Sequence, residues 1–86
     1  MYEIEYSIQA KKFLKKLDKN IAERIYNKIG NLKNHPVPND AKFIERDKFK
    51  DKIFRYRIRN YRALYKLKEK IILISKIDKR PRVYNK

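Results

Sequence analysis

At 86 residues, with 25 Lys+Arg against 10 Asp+Glu and a formal net charge of +15, the chain has room for one small domain over residues 1–86, with a single core and little stability to spare. An apolar share of 42% excludes disorder despite 41% charged residues. With no cysteine, disulfides and cysteine-ligated metal sites are excluded, which fits a cytoplasmic protein, and no apolar run is long enough for a secretion segment or a membrane span.

Tyr2 to Tyr6 alternates Tyr2, Ile4 and Tyr6 with Glu3 and Glu5, the pattern of a half-buried strand. Ser7 stops that strand and caps a helix on which Ala10, Phe13, Leu14 and Leu17 recur at helical spacing, with Lys11, Lys12, Lys15 and Lys16 outside. A second helix starts at Asp18 or Asn20 and lines up Ile21, Ala22, Ile25, Ile29 and Leu32. The short connection makes the two a helical hairpin. Gly30, the only glycine, implies close packing or a fraying end, and the helix finishes before Pro36. His35, the only histidine, reads as a helix-end residue and not as a general base.

From Asn39 to Lys52 the chain is polar, with Phe43, Ile44 and Phe49 as expected anchors and Lys48, Lys50 and Lys52 leading into the next stretch. There Phe54, Tyr56 and Ile58 alternate with Arg55, Arg57 and Arg59; Arg59-Asn60 reverses the chain; and Arg62, Leu64, Lys66 and Lys68 alternate with Tyr61, Ala63, Tyr65 and Leu67. This is a β-hairpin with one cationic face. A solvated sheet face explains any single cation, but a surface built for solubility intersperses both signs, and no acid falls between Lys52 and Lys68. Concentrated arginine points to a docked polyanion. Nucleic acid is the leading class, and a membrane surface fits poorly because the cations sit on a sheet and not along an amphipathic helix. Glu69-Lys70 makes a second turn, Ile71 to Ile74 reads as a strand covered on both faces, and Lys76 onward reads as a charged tail with Val83 and Tyr84 as apolar handles.

One histidine, no cysteine and scattered acids make no metal-ligand set, and no cofactor is expected. What the chain offers is Arg, Lys and Tyr. These suit cleavage of an RNA backbone by its own 2′-hydroxyl, because arginine forks match phosphate oxygens and bring fixed charge to a phosphorane. A lysine or tyrosine whose pKa is lowered by nearby cations is the expected proton acceptor, or positioning supplies the rate.

Tyr56-Arg57-Ile58-Arg59-Asn60-Tyr61-Arg62-Ala63-Leu64-Tyr65 and Lys79-Arg80-Pro81-Arg82-Val83-Tyr84 resemble, in that order, the hairpin and the closing segment of the RelE branch of the RelE/ParE toxin superfamily. The resemblance implies an α+β fold: an N-terminal strand, an antiparallel helical hairpin, then an antiparallel three-stranded meander packed on the helices. It also implies the toxin of a type II toxin–antitoxin pair, an endoribonuclease that cuts mRNA in the ribosomal A site and inhibits translation. The implied partners are the ribosome and an acidic RelB-like antitoxin, the latter in a toxin–antitoxin heterotetramer. By the same resemblance Arg62 and Arg80 hold the scissile phosphate and Tyr84 positions or protonates the reacting groups. Arg55 and Arg57 stand where well-studied members carry lysines. Lys48, Lys50, Lys52, Arg59, Lys79 and Arg82 supply RNA contacts, Lys79 ahead of Lys52 being the candidate acid/base. Two rival readings are a ParE-like gyrase poison and a non-catalytic RNA-binding module.

Overall fold

The computed structural model describes residues 1–79. Strand β1 (Glu3–Tyr6) leads into helix α1 (Ile8–Lys15) and helix α2 (Lys19–Gly30), which passes into a 3₁₀ turn at Asn31–Lys33. Four strands follow, β2 (Ala41–Arg46), β3 (Lys52–Ile58), β4 (Tyr61–Lys68) and β5 (Ile71–Lys79), in one sheet of order β1-β5-β4-β3-β2. The expected meander is β3, β4 and β5, each antiparallel to the next; β2 extends it, and β1 closes the far edge parallel to β5.

Local chemistry accounts for the helix boundaries. Ser7 is extended, and its Oγ accepts from the Ala10 amide at 3.0 Å, satisfying one of the donors that a helix start leaves unpaired. The same hydroxyl donates to the Ser75 carbonyl at 2.8 Å, tying the start of α1 to β5. Asp18 holds the cap position of α2 without a side-chain bond. Gly30 ends α2, and a Cβ built there would meet nothing within 4 Å, so close packing does not explain it. The His35 amide bonds the Asn31 carbonyl at 3.1 Å, which makes it a helix-end residue as read.

Both helices lie on one side of the sheet. Ala10, Leu14, Ile25, Ile29 and Leu32 form a single core with Phe54, Tyr56, Ile58, Ala63, Tyr65, Ile72, Ile74 and Ile77. Tyr65 sits at its centre: its ring stacks on Phe54 at 5.3 Å, meets Tyr56 edge-on at 6.3 Å, and its phenol donates to the Pro36 carbonyl at 2.6 Å. Burial pushes the phenols of Tyr56 and Tyr65 up, and burial beside Tyr26 pushes Tyr6 up to about 12. A phenol that ionises less readily folded than unfolded leaves stability intact below its unfolded pKa of about 10 and removes it above. For Tyr6 the loss runs from about 10 to about 12. Denaturant melts across that window should therefore show Tyr6→Phe gaining on the wild type as pH rises; a constant difference would refute this.

Three expectations are corrected. The polar stretch holds β2, an edge strand, and Phe43, Ile44 and Phe49 are exposed, not buried anchors. The segment read as a tail continues β5 through Lys79, while Arg80, Arg82 and Tyr84 lie outside the described residues. Ile71 to Ile74 is covered on one face only: Ile72 and Ile74 are fully buried, but Ile71 is exposed and Leu73 half-buried. The two-residue turns behave as read, with Arg59 and Glu69 in the left-handed region at φ 51° and 54°. Glu69→Gly should stabilise the fold by about 1 kcal/mol, since only glycine takes that backbone without a Cβ penalty. Urea midpoints check it.

Candidate nucleic-acid interface

Because the helices cover one face of the sheet, the described residues leave the other bare, and strand register decides what it carries. On β3 the buried Phe54, Tyr56 and Ile58 put Arg55 and Arg57 on the open side. Arg57 lies directly opposite Arg62, which lies opposite Asp78; Arg55 lies between Lys42 and Leu64, and Leu64 faces Lys76. Ile44, Arg55, Arg62, Leu64, Lys76 and Asp78 line a recess of about 240 Å³.

Like charges directly opposite on neighbouring strands repel, so the Arg57–Arg62 pair costs the fold stability. Nothing nearby answers it: Asp78 pairs with Lys76 at 3.3 Å, and among the described residues Arg55, Arg57 and Arg62 make no ion pair or side-chain hydrogen bond. The guanidinium forks of Arg55 and Arg62, which line the recess, are suited to a phosphate, which accepts from several donors at once.

The other expected contacts divide. Lys48 and Lys50 sit in the β2–β3 turn, next to the open face. Lys52 pairs with Leu67, itself opposite Ile72, and Lys79 pairs with Tyr61, so register puts both on the helix side of the sheet, away from the arginines. Neither Lys52 nor Lys79 lines the recess. Arg59 borders a different recess of about 570 Å³, between α2 and the hairpin end, with Arg24, Lys28 and Arg57.

The pKa values of Tyr56 and Tyr65 move up, and both side chains point into the core. On the open face Lys66 is also raised, because it bonds Asp47 at 2.6 Å, and that same bond holds the Asp47 carboxyl below its usual range. The recess residues that the sequence reading does not assign to the site are Ile44, Leu64, Lys76 and Asp78. The signal for the last two is period 2 about Ile77, which continues the strand past Ser75.

Residues 4–84 match the sequence model of the ParE toxin of type II toxin–antitoxin systems, parDE. The chain belongs to this family and is a toxin of the RelE/ParE superfamily. No curated protein matches it significantly. Among solved structures it is similar to the archaeal RelE–RelB complex from Pyrococcus horikoshii, with 28% identity, a TM-score of 0.83, and 95% of this chain and 98% of that one covered. The RelBE2 toxin–antitoxin complex from Mycobacterium tuberculosis follows at 24% identity and a TM-score of 0.75, covering 92% and 98%. The intact E. coli RelBE complex matches in fold at 18% identity and a TM-score of 0.61, covering 95% and 100%. Among the described residues no helix is long and apolar enough to cross a membrane.

Proposed function

We propose that this toxin is a ribosome-dependent endoribonuclease that cuts mRNA in the A site, acts in the cytoplasm, and is silenced by an acidic RelB-like antitoxin in a heterotetramer. The observation that carries the reading is the set of three arginines, Arg55, Arg57 and Arg62, on the bare sheet face, without an ion pair among the described residues and two of them in direct register. The archaeal RelE–RelB complex supports the RelE branch and the antitoxin, and the +15 charge suits both an acidic antitoxin and ribosomal RNA.

In this mechanism the 2′-hydroxyl attacks the adjacent phosphorus, the 5′-oxygen leaves, and a cyclic phosphate remains. Arg62 and Arg80 hold the phosphate, Arg55 and Arg57 stabilise the charge gathering on the phosphorane, and Tyr84 positions or protonates the reacting groups. Fixed charge aimed at developing charge supplies the larger share of the rate, and in-line placement of the strand on the ribosome supplies the rest. Lys66 is held in its charged form by Asp47 and serves binding, not proton abstraction.

A second reading, poisoning of DNA gyrase, is favoured by the family model itself, which bears the ParE name. Primer extension on mRNA in translating ribosomes, beside ribosome-free RNA and a gyrase supercoiling assay, separates the two. New ends within the A-site codon only when ribosomes are present support the nuclease. Intact mRNA together with inhibited supercoiling supports the gyrase poison.

A further inference from the structure

The turn between β2 and β3 carries an aromatic ring that the core does not use. Phe49 is 67% exposed, and the ammonium groups of Lys48 and Lys66 stand 5.3 and 5.7 Å from its ring centre. The turn is held in one shape. Asp47 Oδ1 accepts from the amides of Phe49 and Asp51 at 2.9 and 3.0 Å, the Asp47 carbonyl accepts from Lys50 at 2.8 Å, and Arg46 donates to the Lys50 carbonyl at 2.7 Å. Lys66 latches the turn to β4 through Asp47. Lys66 is four residues along β4 from Arg62, so the two side chains share the open face, about 13 Å apart at the strand rise.

An exposed phenylalanine alone is ordinary on protein surfaces. Here the backbone that carries the ring is held in one shape, and the ring is flanked by cations beside the arginine face. Arg46, Lys48, Lys50 and Lys66 outnumber Asp47 and Asp51 around it. Proteins that hold single-stranded nucleic acid combine a cationic track for the backbone with aromatic rings on which bases stack, and a ring carried on an ordered turn leaves less backbone entropy to lose on stacking.

We infer that Phe49 is a base-stacking platform: it takes one unpaired nucleobase of the RNA strand whose phosphates run from Lys48 and Lys66 toward Arg62. This rests on the RNA reading above and adds to it a residue outside the arginine recess. Stacking reads no base identity, so the platform tightens binding to RNA of any sequence without setting a codon preference.

The chain contains no tryptophan, so Phe49→Trp introduces a single indole whose emission reports stacking directly. The probe is a short mixed-sequence 2′-O-methyl oligoribonucleotide, which lacks the attacking hydroxyl and stays intact. Phe49→Trp should bind it within about threefold of wild type with quenched emission, and Phe49→Ala should bind about tenfold more weakly. The same oligonucleotide as a duplex should bind through charge without quenching. Salt-sensitive binding that Phe49→Ala leaves unchanged, or quenching equal on duplex and single strand, overturns the platform and leaves the RNA reading standing. No binding by the wild type overturns the platform, while the ribosome-dependent reading is decided by the primer extension above.

Discussion

Arg62→Ala should lower A-site mRNA cleavage by about two to three orders of magnitude while the fold stays intact. Arg62 is half-buried in the middle of the sheet, on a strand paired on both sides, and lies between Arg57 and Asp78. The backbone beneath it is thus fixed before RNA arrives, and no partner within the described residues has to be surrendered. Removing a preorganised donor from a charge-stabilised transition state carries a penalty of that size. Stability should respond in the opposite sense or hardly at all. The change ends a like-charge cross-strand pair worth roughly 0.2–1 kcal/mol, and Asp78 keeps Lys76. Arg62→Lys keeps the charge without the fork and should fall between the two. Primer extension paired with thermal melts checks all three proteins, and a folded Arg62→Ala that cuts at the wild-type rate would remove Arg62 from the site.

The largest stability effect is expected at Tyr65. Truncating a fully buried aromatic to alanine costs about 3–5 kcal/mol, against a total of about 4–13 kcal/mol for a chain of this length. Tyr65→Ala empties the space between Phe54 and Tyr56 and frees the Pro36 carbonyl. A substantial fraction of the protein should then be unfolded at ambient temperature. Tyr65→Phe keeps the ring and loses only the 2.6 Å hydrogen bond, a loss of about 1–2 kcal/mol. Urea titrations that found the two variants equally stable would show that the ring is not what holds the helices to the sheet.

The sequence was most legible where a local rule sufficed. Period 2 at Phe54, Tyr56 and Ile58 reported both the strand and the side on which Arg55 and Arg57 emerge, and helical spacing reported Ala10, Leu14, Ile25 and Ile29 as core. It failed where the period slips. Between Phe43 and Glu45 the register of β2 shifts, so Ala41–Arg46 shows no clean alternation and reads as loop. A second shift opposite Leu64 and Tyr65 inserts Ser75, which separates Ile74 from Ile77 by three residues and hides the continuation of β5. Lys76 and Asp78 were lost with it. Lys52 and Lys79 come from sequence position and from the resemblance, neither of which carries strand parity, and parity puts both on the helix side of the sheet. The parallel pairing of β1 was not legible from the residues, since no local signal joins Ile4 to Ile72.

That pairing also sets an order of events during synthesis. β5 is the last of the described strands to be made, yet it lies inside the sheet between β1 and β4 and carries Ile72, Ile74 and Ile77 into the core. Until it emerges, β1 has no neighbour, and β4 has an open edge where the sheet should continue. A nascent chain must therefore carry its helices and the β3–β4 hairpin in an unfinished state, and closure then joins segments as distant as Ser7 and Ser75, which is slow and leaves strand edges open to wrong partners. The wall that carries Arg62 is completed only when Lys76 and Asp78 arrive. Growing chains therefore lack a finished recess until β5 is in place.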